Sequence, residues 1–137
     1  MDNFLYGLST ELYAASYFAD LGYKIYWHME TQSRADFVIE KDGVFQKIQV
    51  KKATWSQTGP YKYLQCRLKS RNKCREWYSE GDYDLLVIVD KPRIWIAPFS
   101  EVNELVSVCF DGTKPGYKTR SKLYDPDKWL VKEVKEE

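Results

Sequence analysis

A carboxylate, an amide and an ammonium lie close together in the first part of the chain, at Asp36, Gln49 and Lys51. Carboxylate and amide oxygens are ligands for hard divalent cations, and a lysine ammonium stabilises negative charge that develops on a reacting group. These side chains can act together only if the fold brings them to one patch. Their place in the local secondary structure therefore decides whether they form a site.

Two strand-like runs, ADFVIEK and VFQKIQVK, flank Asp42-Gly43, and Asp-Gly between such runs predicts a type I′ β-hairpin. With this two-residue turn, Asp36 falls directly opposite Gln49, and opposed side chains share a face with Cβ atoms about 4.5–5.5 Å apart. Lys51 lies two residues beyond Gln49 and shares that face. The register therefore predicts that all three side chains converge, whereas a slip of one residue would separate them.

The spacing of apolar residues predicts a helix over residues 4–21, with Leu8 and Ala15 on its buried face. Glu11 falls on this stripe, where a carboxylate is unfavourable unless it has a partner. A metal ion or a lysine near the sheet would supply that partner; alternatively, Glu11 lies at the edge of the stripe and reaches solvent. Beside the predicted cluster around Asp36, we favour the functional interpretation.

The rest of the pattern predicts an α/β protein with a mixed sheet flanked by helices. The run DLLVIV at 84–89 is almost wholly apolar, which predicts a central strand that is buried on both faces. Other predicted elements are strands at 24–29, 61–68, 93–98 and 105–110, a short helix at 72–79, a basic loop at 111–122 and a last short helix capped by Asp125 or Asp127.

Composition narrows the class of protein. The 137 residues suit one compact domain, and the net charge of +1 neither demands nor excludes a nucleic-acid partner. The three cysteines are odd in number and form no C-x-x-C pair, which argues against a disulfide framework and favours a reduced, cytoplasmic protein. No run approaches the roughly 20 apolar residues that a membrane span needs.

Three motifs together carry a family resemblance: G-x-x-x-E from Gly7 to Glu11, then Arg34-Ala35-Asp36, then Gln49-Val50-Lys51. Over roughly residues 5–53 this pattern resembles the PD-(D/E)XK nuclease superfamily. Within it, the chain is most similar to Holliday-junction resolvases and to homing endonucleases that are encoded with group I introns. The Q-V-K variant and the short chain favour the homing branch.

The resemblance implies a restriction-endonuclease-like fold and a single nuclease domain over 1–137. The catalytic core would cover about 5–98, and the basic loop and C-terminal elements would cover 99–137. It implies a site-specific, homing-type endonuclease that hydrolyses double-stranded DNA with metal-activated water. One alternative is a structure-specific resolvase of the Holliday-junction kind, and another is a non-catalytic nucleic-acid-binding module.

The resemblance also implies a role for each residue of the motifs. Asp36, Glu11, Gln49 and the main-chain carbonyl of Val50 would hold Mg²⁺ or Mn²⁺, and Lys51 would position the attacking water. Ala35 replaces the usual proline, which is structural. Gln49 replaces the usual Glu or Asp and removes one negative charge from the site, so Glu11 is expected to supply the missing carboxylate.

Basic residues predict where DNA would bind, because lysine and arginine contact phosphates and arginine reads guanine edges. They lie mostly in two segments, 67–75 and 114–122, for which a merely solvated surface is the alternative. A small domain reads a long site by forming a dimer or tetramer. The predicted DNA-binding residues are Arg34, Arg67, Lys69, Arg71, Lys73, Lys114, Lys118, Arg120 and Lys122.

Overall fold

The computed structural model describes residues 3–27, 35–68, 81–103, 105, 107–112, 121–124 and 127–132. The predicted helix and the predicted strands at 61–68, 84–89 and 93–98 are present, each with ends shifted by one residue or less. The elements in chain order are α1 (Asn3–Asp20), β1 (Lys24–Trp27), β2 (Phe37–Lys41), β3 (Val44–Lys52), β4 (Thr54–Thr58), β5 (Tyr61–Arg67), β6 (Leu85–Asp90), β7 (Arg93–Pro98), α2 (Phe99–Val102), β8 (Ser107–Gly112), β9 (Ser121–Tyr124) and β10 (Leu130–Lys132).

A six-stranded mixed sheet in the order β1-β2-β3-β6-β7-β10 forms the centre of the fold. The strand order puts β3 and β6 at the centre of the sheet, where they pair in parallel, and β6 carries an almost wholly apolar run. Ala14, Ala15 and Phe18 of α1 pack on one face of the sheet, where the two small alanines allow a close approach of helix and sheet. The confirmed α/β class follows from this arrangement.

The predicted hairpin has the predicted register. Asp42 and Gly43 have φ values of 53° and 82°, as the two central residues of a type I′ turn require. Pairing runs without a break from Lys41 opposite Val44 to Phe37 opposite Ile48. The turn therefore fixes which face each side chain of β3 occupies.

A second sheet, in the order β4-β5-β8-β9, packs against the other face of the central sheet. Fully buried Trp95 of β7 stacks on Phe110 of β8, with ring centroids 4.6 Å apart and planes 5° apart. α2 adds Phe99 and Val102 to the same core. β3 is thus covered on both faces along its second half.

Three expectations differ from the structure. Leu8 is exposed, because it lies at the edge of the buried stripe of Ala14, Ala15 and Phe18, about a quarter of a turn from Phe18 at 3.6 residues per turn. The prediction of a last short helix is wrong. After a turn at 127–129 the chain forms β10, which pairs with the edge of β7. The predicted basic loop lies largely outside the described residues, but its two ends belong to β8 and β9.

The predicted helix at 72–79 also lies outside the described residues. Among the helices that the structure describes, none is long and apolar enough to cross a membrane.

Candidate active site

Asp36 lies where β2 separates from β3. The regular ladder ends at Phe37 opposite Ile48, one position before the predicted pair of Asp36 with Gln49. The Asp36 main-chain N–H donates to the Ile48 carbonyl at 2.7 Å, and Oδ2 of Asp36 accepts the Val50 N–H at 2.7 Å. The carboxylate thus takes the place of a main-chain acceptor, as short aspartate side chains do near strand ends. This exchange places Asp36 in the opening between the two strands.

Glu11 reaches this opening from α1. Burial, a side-chain hydrogen bond with Asp36 and the negative charge of Asp36 together raise the pKa of the Glu11 carboxyl to about 7. Two carboxyl groups in hydrogen-bond contact cannot both ionise without repulsion unless a cation lies between them. Of the predicted cluster, the structure brings Glu11 into contact with Asp36, and the roles of these residues stay predictions.

Gln49 and Lys51 occupy the other side of β3, facing the second sheet. Gln49 is buried, and its Nε2 donates to the Val50 carbonyl at 3.3 Å. Half-buried Lys51 lies close to the Cys66 thiol of β5. Burial raises the pKa of that thiol to about 12, partly offset by the Lys51 ammonium. Both side chains therefore flank Val50, whose main-chain N–H holds Asp36.

The donor set suits a hard divalent cation. The Glu11 and Asp36 carboxyl groups are in hydrogen-bond contact, and the Val50 carbonyl and the Gln49 amide lie on β3 beside the Val50 N–H that holds Asp36. Oxygen donors of these types are those that Mg²⁺ and Mn²⁺ prefer. Within the described part of the chain no group of three His, Cys, Asp or Glu residues is clustered, so the neutral oxygens of Gln49 and Val50 would have to complete the protein's share.

Asp84, directly before β6, holds β3 from its other edge. Its Oδ2 accepts the Lys47 N–H at 2.8 Å, and its own N–H donates to the Lys47 carbonyl at 2.9 Å. Lys47 Nζ in turn donates to the Gly81 carbonyl at 2.8 Å. β3 is therefore fixed by an aspartate on each side. The sequence signal that could have indicated this role is an aspartate directly before an apolar strand.

Few of the predicted DNA-binding residues can be located. Arg67 is exposed at the end of β5, and Lys122 belongs to β9. The others lie outside the described residues: Arg34, Lys69, Arg71, Lys73, Lys114, Lys118 and Arg120. Their role in binding DNA stays a prediction.

Comparison with known proteins agrees with this geometry. The family model of PD-(D/E)XK endonucleases matches residues 1–108. A relative, Protein 5.3 of Escherichia phage T7, is 38% identical over 114 residues, which cover 83% of this chain and 95% of that protein. The fold is similar to that of a bacterial homing endonuclease, I-Ssp6803I, with a TM-score of 0.64 and 16% identity over 85% of this chain and 80% of the other.

These findings define a nuclease with a restriction-endonuclease-like fold. The chain belongs to the PD-(D/E)XK endonuclease family. The resemblance that the three motifs indicated is confirmed, and nucleases of this family generally use divalent metal ions.

Proposed function

We propose that this protein is a site-specific, homing-type DNA endonuclease that hydrolyses phosphodiester bonds in double-stranded DNA with a divalent cation, Mg²⁺ or Mn²⁺. The observation that carries the proposal is the contact between Glu11 and Asp36, held in place by the Val50 N–H. A pair of carboxyl groups in contact at the opening between two strands has the charge and the oxygens that a hydrolytic metal site needs. The likeness of the fold to a homing endonuclease supports the homing branch.

The side chains have distinct tasks in this proposal. When bound, the cation supplies a water of lowered pKa and neutralises charge on the phosphate. Asp36 and Glu11 hold the cation, and the Val50 N–H keeps the Asp36 carboxylate in one orientation. Lys51 orients the attacking water and stabilises negative charge as it develops on the phosphate oxygens. Gln49 is anchored on the Val50 carbonyl and offers a neutral oxygen to the shell.

We further propose that the protein works as a homo-oligomer, a dimer or a tetramer, in the cytoplasm. One chain of 137 residues offers little surface for reading a long DNA site, whereas two copies read two half-sites and cut both strands. A row of exposed leucines on α1, at Leu5, Leu8 and Leu12, offers a second copy an uncharged surface. Equilibrium sedimentation of the purified protein gives the number of subunits.

The first test of the proposed function is a cleavage assay with purified protein. Long duplex DNA and a four-way junction of matched sequence are incubated with Mg²⁺, with Mn²⁺, or with EDTA. We expect a few defined cuts in linear duplex that depend on the divalent ion. Cleavage restricted to the junction would assign the protein to the resolvases instead. Binding without cleavage of either DNA, with both ions, would reduce it to a non-catalytic binding module.

The raised pKa of Glu11 predicts proton release when the metal binds. A carboxyl with a pKa of about 7 is mostly protonated at pH 6 and mostly ionised at pH 8, and a metal ligand must be deprotonated. Calorimetric titration with Mn²⁺, in buffers of different ionisation enthalpy, should therefore show close to one proton released per ion at pH 6 and far fewer at pH 8. The affinity for Mn²⁺ should rise over the same interval.

Glu11→Gln is the control for this titration. The amide has no proton to lose, so the release at pH 6 should fall toward zero and the affinity should become nearly independent of pH. The same pH-dependent release in the variant and in the parent protein would show that the titrating group is a different one.

A further inference from the structure

Two exposed aromatic rings lie side by side on the first strands of the central sheet. Tyr26 of β1 is 45% exposed and Phe45 of β3 is 60% exposed. Their ring centroids are 5.9 Å apart and the ring planes are tilted by 41°. β2 runs between them, and its Glu40 is the partner of Phe45 in the ladder. Together, Tyr26 and Phe45 form an open aromatic surface, which we call the aromatic platform.

The alternation of side chains places the platform on a definite face. Ile39 and Phe37 of β2 point toward α1, so the ladder puts Tyr26 and Phe45 on the opposite face. Gln49 and Lys51 occupy that face too, because they follow Phe45 by even numbers of residues. The platform thus lies at the exposed end of the face that the second sheet covers farther along β3, over buried Gln49 and half-buried Lys51.

The distance between platform and site suits a short stretch of nucleic acid. Phe45 precedes Gln49 by four residues on β3, which is about 13 Å along a strand. Successive base pairs of duplex DNA lie 3.4 Å apart, so about four base steps span this distance. A strand whose phosphate lies at Asp36 therefore brings a nearby base within reach of the platform.

The charges around the platform favour a polyanion. The carboxylate of Glu40 is covered, with its side chain 14% exposed, and both the Lys24 ammonium, at 3.8 Å, and the Tyr26 hydroxyl, at 3.4 Å, lie against it. The Lys24 side chain, in contrast, is 72% exposed. Lys47 adds a second positive charge on the same face. Aromatic rings beside cations are the combination with which proteins bind unpaired nucleic-acid strands.

We propose that the aromatic platform stacks with unpaired bases of the DNA close to the bond that is cut. This inference rests on the proposed nuclease function and adds a substrate preference to it. Every base has an aromatic face, so stacking does not depend on sequence, but it requires that the base leaves its pair. The preferred substrate is therefore DNA in which one or two bases beside the cut are unpaired, such as a small bubble, a gap or a flap.

Binding and cleavage are measured separately, so that a failure of base stacking at the platform can be told apart from a failure of the proposed nuclease function. Binding is followed in Ca²⁺ with a single-stranded oligonucleotide that carries 2-aminopurine, whose fluorescence falls when the base stacks. Cleavage is followed in Mg²⁺ on a duplex with a two-base bubble and on its fully paired counterpart. If the protein quenches 2-aminopurine fluorescence but cuts neither DNA, the stacking role of the platform is supported and the proposed nuclease function is contradicted.

Phe45→Ala and Tyr26→Ala are the test variants, and Val44→Ala is the matched control. Val44 is the neighbour of Phe45 and is equally exposed, at 61%, but it lies on the face toward α1. Losing one stacked base weakens binding roughly 5- to 150-fold, so each test variant should bind the oligonucleotide that much more weakly and lose the quenching. Val44→Ala should bind like the parent protein, and Phe45→Trp should restore binding.

Two results would overturn the proposal. In the first, Phe45→Ala and Val44→Ala bind the oligonucleotide equally well. In the second, Phe45→Ala keeps its DNA affinity but sediments as a smaller species than the parent protein, which would make the platform an interface between copies of this chain. Thermal unfolding of each variant checks that the fold is intact, as expected for side chains that are this exposed.

Discussion

Lys51→Ala should abolish DNA cleavage and leave DNA binding in place. In the proposed mechanism the Lys51 ammonium acts on the phosphate that the cation at Asp36 would bind, reaching it from the side of β3 that faces the second sheet. Removing one preorganised group that stabilises developing charge costs about 10²–10³-fold in rate, and the loss of water positioning adds to it. The single-turnover rate in Mg²⁺ and the affinity for DNA in Ca²⁺ are the two measurements.

Lys52→Ala is the matched control for this variant. Lys52 carries the same charge, is exposed, and lies on the opposite face of β3, opposite Val89 in the ladder. Its loss should lower neither the single-turnover rate nor the unfolding temperature appreciably. Cleavage by Lys51→Ala at a rate near that of Lys52→Ala would remove Lys51 from the mechanism.

Asp36→Asn should remove both metal binding and cleavage without unfolding the protein. The asparagine side-chain oxygen can still accept the Val50 N–H, so the opening between β2 and β3 keeps its shape. The negative charge is lost, however, and Glu11 becomes the one remaining carboxylate of the pair. Without the negative charge of Asp36, the pKa of Glu11 should also fall, because that charge helps to raise it.

Asp84→Asn is the control that separates charge from structure. Asp84 holds β3 through the Lys47 N–H much as Asp36 holds it through the Val50 N–H. If the role of Asp36 were purely structural, both variants would lose similar stability and keep similar activity. We expect similar unfolding temperatures, with Mn²⁺ binding and cleavage lost in Asp36→Asn alone.

The hairpin could be predicted because its information is local. The turn Asp42-Gly43 requires positive φ values and thereby fixes the register of β3. Glu11 could be predicted because a carboxylate near an apolar stripe needs a partner. The turn and the position of Glu11 on the helix both depend on residues that are close in sequence, so the sequence alone can indicate them.

Other features depend on contacts that a sequence pattern does not contain. The ladder ends before Asp36 because a side chain outcompetes the main chain for the Val50 N–H, and a count of residues cannot show this competition. β4 is mostly polar in sequence and forms a strand through its pairing with β5. β10 likewise depends on its pairing with the edge of β7, whereas the candidate caps at Asp125 and Asp127 wrongly favoured a helix.

The bond between Asp36 and the Val50 N–H has a consequence for metal coordination. With Oδ2 occupied by the main chain, Asp36 can offer its other oxygen as a monodentate ligand. The protein would then supply only a few positions of an octahedral shell, and water and the DNA phosphate would fill the rest, as suits an ion that gives up its waters reluctantly. Substrate and ion would bind cooperatively, so the resting protein would carry little metal, and the complete shell would assemble only on DNA.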